Sequence, residues 1–236
     1  MSAATEQKAF AAAAALELVE SGMTLGLGSG STAEIFIKQL GARIAAGELD
    51  RIVAVPTSRA SAEAARLAGV PLIDVDHVVR IDLTVDGADE VDGRFRLIKG
   101  GGACLLREKI IAHASDLMAV VVDETKLVET LGAYPLPVEV DPFAFTITAK
   151  KVFDVLRACG VNRPDVSLRR LPDGGDPLLT DGGHYILDCA CGEIPDPEEA
   201  ALALNTVPGV IENGLFINLA RTVIVGEDGG AQVLEL

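Results

Sequence analysis

The sequence has no tryptophan, and its aromatic residues amount to only 4%. A core without large rings has to be filled by small and branched aliphatics, which are plentiful here and suit a parallel sheet covered by helices on both faces. Positive charge is also in short supply. Lys and Arg number 20 against 35 Asp and Glu, a net charge of −15. Nucleic-acid binding draws most of its affinity from phosphates neutralised by basic side chains, so this balance argues against a nucleic-acid partner. It argues equally against an anionic membrane surface. No apolar stretch approaches the ~20 residues needed to span a bilayer. The alanine run at 11–15 does not read as a signal-peptide core, because Glu6, Lys8, Glu17 and Glu20 flank it closely and no basic segment precedes it. An amphipathic helix is expected there. Cys104, Cys159, Cys189 and Cys191 form no CxxC pair. A chain of this length does not depend on disulfides for its core, so reduced thiols and a cytoplasmic location are expected.

What is present is an ordinary globular composition, 49% hydrophobic and 23% charged over 236 residues, enough for one large domain or one domain with an annex. Hydrophobic periodicity gives the order of elements. After the first helix, 23–27 reads as a short strand, 26–30 as a glycine-rich turn and 31–40 as a helix. The unit recurs with a strand at 51–55, a helix at 58–68 ended by Gly69, and strands at 70–75 and 81–85, the last running into the polar segment 86–93. Residues 97–99 lead into three glycines and a helix over 103–114. The continuous apolar run 117–122 reads as a central parallel strand. Alternating strands and helices predict right-handed βαβ units in a Rossmann-like, doubly wound, mostly parallel α/β sheet, whose ligands bind beyond the carboxyl ends of the strands. Pro135, Pro137 and Pro142 mark a change of character. Beyond them a helix over 149–159, a Gly/Pro/Asp-rich loop over 170–177, a strand over 185–190 and a helix over 195–204 predict a smaller α+β domain at 132–207. The last strands, 214–218 and 222–226, are expected to rejoin the first domain, which then comprises 1–131 and 208–236.

Three segments at strand ends carry chemistry. The first, Gly26-Leu27-Gly28-Ser29-Gly30-Ser31-Thr32, joins a strand to a helix, so free N–H groups and the positive end of the helix dipole converge beside three hydroxyls, as in a phosphate cradle. It does not fit a dinucleotide fingerprint, because Ser31 replaces the third glycine and the next β-rich run ends in Pro56-Thr57-Ser58, with no acidic residue for a ribose. No Lys follows the glycines as a Walker A loop requires. The alternative is a plain tight turn. The second, Asp86-Gly87-Ala88-Asp89, sets two carboxylates past a strand, suited to orienting sugar hydroxyls, assisting proton transfer or holding a divalent metal. A solvated turn is the alternative there.

The third opens with Lys99, Gly100, Gly101 and Gly102. Three consecutive glycines are conformationally costly and are most easily explained by close approach of backbone to a ligand at a helix start. On that helix Glu108 shares a face with Cys104, Leu105, Ile111 and Ala112. Apolar neighbours raise a carboxylate's pKa towards the range of a proton-shuttling base, whereas a surface Glu paired with Arg107 or Lys109 would have no such role. Lys126, just after the apolar strand, adds a positive charge. His77, His113 and His184 are scattered and read as structural or exposed. Cys189 and Cys191 share one side of a predicted strand, too little for a metal site.

In order, the blocks GLGSGSTA, TVDGADEVD, LIKGGGACLLREKI, VVDETK, YPLPVEV and GLFIN closely resemble ribose-5-phosphate isomerases of type A, from residue 25 to about residue 218. The resemblance implies reversible aldose–ketose conversion of D-ribose 5-phosphate and D-ribulose 5-phosphate in the pentose phosphate pathway, with no cofactor and no metal, by a homodimer or homotetramer. It implies substrate contacts from Ser29, Gly30, Ser31 and Thr32, from Asp86, Gly87, Ala88 and Asp89, from Lys99, Gly100, Gly101 and Gly102, and from Lys126. Glu108 would accept the proton, Asp86 and Asp89 would assist ring opening and hydroxyl proton transfer, and Lys99 would stabilise the oxyanion. Some members carry Thr where this chain has Ser29, which keeps the hydroxyl. Two other classes compete. Residues 211–214 are similar to the glutamate-bearing turn of CoA transferases, which would make Glu212 a nucleophile. A non-catalytic sugar-phosphate sensor would need an effector module for which no length remains. Residues 166–183 form a longer loop than in compact members and receive no function.

Overall fold

Alternating apolar strands and helices build the fold that their order predicts, in a computed structural model that describes residues 3–236. The elements are α1 (Ala3–Leu16), β1 (Thr24–Leu27), α2 (Ser31–Ala45), β2 (Val53–Pro56), α3 (Arg59–Leu67), β3 (Ile81–Asp86), β4 (Glu90–Asp92) and β5 (Leu97–Ile98). They continue with α4 (Leu105–His113), β6 (Ser115–Asp123), β7 (Leu127–Val128), β8 (Leu136–Val140), α5 (Phe145–Ala158), β9 (Asp165–Leu168) and β10 (Tyr185–Ala190). The last are α6 (Pro197–Leu204), β11 (Val210–Asn213), β12 (Leu215–Phe216), β13 (Ala220–Glu227) and β14 (Gly230–Glu235).

The chain divides into two units, one of residues 1–88, 107–126 and 218–236, the other of 89–106 and 127–217. In the first, six strands form a sheet in the order β14-β13-β6-β3-β1-β2. All neighbours are parallel except the β13–β14 edge pair. The apolar run predicted as a central strand is β6, buried from Met118 to Asp123, as a strand covered on both faces must be. Leu25 and Leu27 of β1 and Leu83 and Val85 of β3 pack with Phe36, Ile37 and Leu40 of α2 and with Ala11, Ala12 and Ala15 of α1. Val55 of β2 points away from its neighbour Ala54, as strand alternation requires, and packs in a separate cluster with Ile111 of α4 and with Ile81 at the start of β3.

The second unit contains an antiparallel sheet, β11-β8-β10-β9, and a smaller one, β12-β5-β4-β7. Helices α5 and α6 cover the first of these through Val152, Leu156, Ala200 and Leu204.

Four expectations need correction. Residues 70–75 form no strand, only an isolated bridge between Leu72 and Ala54; Pro71 lacks the donor that a continued ladder would need, although its carbonyl accepts from Ala54 N–H at 2.9 Å. The proline-rich segment is an interior strand, β8, with Pro137 opposite Asp188. Residues 215–216 do not rejoin the first sheet, because β12 pairs with β5. The units therefore divide at 126/127 and 217/218, with 89–106 in the second unit, where β4 and β5 pair with each other and with β7 and β12. Sequence separation hides such pairings.

Among the described residues the four cysteines form no disulfide. Burial pushes the Cys191 thiol up to about 12 and the Cys189 thiol well above its ordinary value, which leaves both as inert core side chains. No helix among the described residues is long and apolar enough to cross a membrane.

Candidate active site

From β1 the sheet grows one way to β2 and the other way to β3 and β6, so the winding reverses between β1 and β3. Open α/β sheets leave a ligand crevice at such a point. Leu27 pairs with Val85, and Asp86 with Val120, so the segments after β1, β3 and β6 leave the same edge of the sheet. All the first unit's predicted loop residues lie there.

The turn after β1 is built against Asp86, which is fully buried. Asp86 Oδ1 accepts the Ser29 N–H at 3.1 Å and the Gly87 N–H at 2.7 Å. Gly28 permits this contact, since a Cβ there would stand 2.1 Å from Asp86 Oδ1. Gly30, at φ 91°, caps α2 without a side-chain hydrogen bond, and the helix starts at Ser31 with Thr32 buried behind it. The first-turn N–H groups that a helix cannot satisfy internally are thus gathered beside hydroxyls, as an anion cradle requires.

Other residues complete this edge without a signal in the sequence. The Ser29 hydroxyl donates to Ser58 Oγ at 2.7 Å and lies 2.9 Å from Thr57 Oγ1, while Ser58 in turn caps α3 by accepting the Ser61 N–H at 3.0 Å. In the sequence, Thr57 and Ser58 mark only the absence of the acidic residue that a dinucleotide motif needs. Lys8 of α1 donates from Nζ to Ser31 Oγ at 3.0 Å, which brings a cation to the cradle. On the sequence it is one charge on a surface helix. The neighbouring Gln7 ties α1 down, its amide donating at 3.1 Å to both Glu124 Oε1 and Asp228 Oδ1. Lys126 ends the turn at 124–126 that follows β6 and is half-buried.

Glu108 lies on α4 and is only 4% exposed. Leu105, Ile111 and Ala112 are buried with it, so the face predicted from helical spacing is the buried face. Cys104 precedes the helix and is half-buried.

In the second unit, Asp89 Oδ2 accepts the Gly101 N–H at 2.8 Å. A Cβ on Gly101 would fall 2.7 Å from both Asp89 Oδ1 and Tyr134 Oη, which explains the glycine. Burial pushes the Tyr134 phenol up, and the charge of Asp89 adds to it. Gly100 has φ 113°, a backbone region L side chains rarely adopt. Lys99 is 2% exposed; its N–H donates to Gly214 O at 2.9 Å and its ammonium stands 5.4 Å from the centroid of the Phe216 ring, within cation–π range. Glu90, which the sequence left without a role, is buried and accepts the N–H groups of Gly132 and Tyr134 at 2.7 and 2.5 Å. Gly102 is exposed, and Ala88 is half-buried beside Gly87. The chain passes from one unit to the other after Ala88 and after Leu106.

Among the described residues no three His, Cys, Asp or Glu side chains stand close enough together to hold a metal ion. In the first unit the buried Glu108 and Asp86 and the turn before α2 accompany a doubly wound sheet, the arrangement of an α/β protein with a ligand crevice at its carboxyl edge. Residues 53–230 match the family described as ribose 5-phosphate isomerase A (phosphoriboisomerase A). The chain is 67% identical over 233 residues to the ribose-5-phosphate isomerase A of Maricaulis maris (strain MCS10), covering 99% of both chains. It is 52% identical to that of Parvibaculum lavamentivorans, covering 98% of this chain and 99% of the relative. A solved D-ribose-5-phosphate isomerase in complex with phospho-erythronic acid superposes with a TM-score of 0.93 at 41% identity, covering 100% of both chains. The ribose 5-phosphate isomerase from Plasmodium falciparum gives 0.92 at 31%, covering 98% of this chain and 99% of that one.

The chain belongs to the ribose 5-phosphate isomerase A family and is an isomerase. That removes the sensor and leaves the CoA-transferase reading without support. Glu212, its required nucleophile, lies on β11 with Oε1 accepting the N–H of Asn213 at 2.8 Å.

Proposed function

We propose that the chain interconverts D-ribose 5-phosphate and D-ribulose 5-phosphate through a cis-enediolate, with Glu108 moving the proton and no metal or cofactor taking part. The carrying observation is the burial of Glu108 on the apolar face of α4. A carboxylate held out of bulk water keeps a transferred proton from exchanging freely, and because C1 and C2 of a cis-enediolate present the same face, one carboxylate serves both carbons, first as base and then as acid. Ser29, Gly30, Ser31 and Thr32 with Lys8 and Lys126 receive the phosphate. Asp86 and Asp89 orient the sugar hydroxyls and carry their protons during ring opening. Lys99 and the N–H groups of Gly100, Gly101 and Gly102 meet the charge that develops on the reacting oxygens. The phospho-erythronic acid bound by a relative supports this reading, as a phosphorylated sugar acid carries a planar anion where the enediolate would form.

A coupled isomerase assay with ribose 5-phosphate after EDTA treatment tests the proposal. Full turnover in the chelated enzyme is expected. Absence of turnover would remove the substrate assignment, and a loss reversed by a divalent cation would remove metal independence. The same proposal includes a cytoplasmic location and self-association as a homodimer or homotetramer; a monomer by light scattering would rule out the latter.

A further inference from the structure

Arg169 lies just past β9, in the stretch to which the sequence gives no function. Its guanidinium donates from Nη1 to the carbonyl oxygens of Gly100 at 2.8 Å and Gly101 at 3.0 Å. The other edge of the fork is held by Asp188, with Nε to Oδ2 at 2.9 Å and Nη2 to Oδ1 at 2.5 Å. The Arg169 side chain is 14% exposed. Burial works against its charge, and the hydrogen bonds and charge of Asp188 outweigh that, so it remains a cation.

A trans peptide carries its C=O and N–H on opposite sides, and no cis peptide occurs among the described residues. Fixing Gly100 O therefore fixes the Gly101 N–H on the far side, where it donates to Asp89 Oδ2 at 2.8 Å. Fixing Gly101 O directs the Gly102 N–H away from Arg169 in the same manner. Glycine imposes little orientation of its own, so the order of these peptide planes must come from outside the loop. A planar guanidinium can hold two acceptors in fixed geometry, which an ammonium on a flexible stem cannot. Its positive charge on two carbonyls also polarises both amides and strengthens their N–H groups as donors.

We infer that Arg169, oriented by Asp188, is a positioning residue that sets the peptide planes of the 100–102 loop and through them the Asp89 carboxylate and the Gly102 N–H used in isomerisation. This rests on the isomerase reading above.

The test compares Arg169→Ala, Arg169→Lys and Asp188→Asn with the parent enzyme on ribose 5-phosphate. Arg169→Ala is expected to lower kcat by about 10²-fold, the scale of losing an oxyanion donor, with KM changed by less than about threefold. Arg169→Lys keeps the charge but not the fork and should recover less than about a tenth of the lost activity. Millimolar guanidinium should raise the kcat of Arg169→Ala at least tenfold and leave Glu108→Gln unchanged. Asp188→Asn leaves Arg169 in place with a weaker hold, so it should show the same kcat-weighted loss even if Arg169→Ala does not fold. A kcat within threefold of the parent in Asp188→Asn and in every folded Arg169 variant, a loss confined to KM, or a folded Arg169→Ala that guanidinium does not rescue would overturn the inference. A parent enzyme inactive on ribose 5-phosphate would instead overturn the isomerase reading on which it stands.

Discussion

Replacing Glu108 with Gln is expected to lower turnover by about 10²–10⁴-fold, the range for a general acid–base group, while substrate affinity changes by no more than a few-fold. The amide matches the carboxylate in shape, so the buried face of α4, formed with Leu105, Ile111 and Ala112, loses no volume. What disappears is the ability to accept a proton. In barrier terms the loss is about 3–5 kcal/mol. Steady-state kinetics and the exchange of solvent deuterium into the product read the two halves of the prediction: both turnover and exchange at the transferred position should fall together. Turnover near the parental value would remove Glu108 as the base. Exchange that persisted while net conversion stopped would assign it a later step than proton abstraction.

Gly28→Ala should damage both stability and activity, although it adds a single methyl group. The new Cβ would lie 2.1 Å from Asp86 Oδ1 and 2.5 Å from Asp86 Cα. A side-chain rotation relieves the first contact but not the second, so β1 and β3 must separate locally. Forced overpacking of this kind costs about 1–3 kcal/mol, or a fall in Tm of several degrees for a chain of this size. The larger effect falls on function. Ser29 N–H and Gly87 N–H share Asp86 Oδ1 at 3.1 and 2.7 Å, so displacing Asp86 by about 1 Å also displaces the cradle, and errors of that size cost about 10²-fold in rate. Thermal denaturation with kcat/KM of the same preparation checks both effects. A variant with parental Tm and activity would show that the β1 turn does not rest on Asp86.

Several elements were legible before folding because their signals are local. The period-3.6 spacing of Leu105, Glu108, Ile111 and Ala112 placed Glu108 on a buried face, and it is buried. The apolar run at 117–122 is an interior parallel strand. Glycine-rich turns at 26–30 and 100–102 stand next to the carboxylates whose approach a side chain would prevent. The failures share one cause. Residues 70–75 looked like a strand because propensity counts side chains and ignores the donor missing at Pro71. Residues 136–140 looked like a boundary because prolines usually interrupt sheets, yet β8 lies between β11 and β10.

The contacts of Lys8, Thr57, Ser58, Arg169 and Asp188 have no sequence signal for a different reason. Each acts on a partner more than 15 residues away, and no spacing rule reaches that far. Lys8 meets Ser31, Ser58 meets Ser29, and Arg169 meets Gly100. A lone basic or hydroxyl residue carries no local mark of the group it will face.

By itself the sequence determined the α/β class and the family, and it marked three candidate motifs, because periodicity, glycine runs and ordered motif blocks are properties of contiguous residues. Tertiary structure alone decided which sheet 89–106 and 215–216 join, which cation stands at the cradle, and what holds the glycine loop in place. Those outcomes depend on strand pairing and side-chain contacts between distant segments, which exist only once the chain has closed on itself.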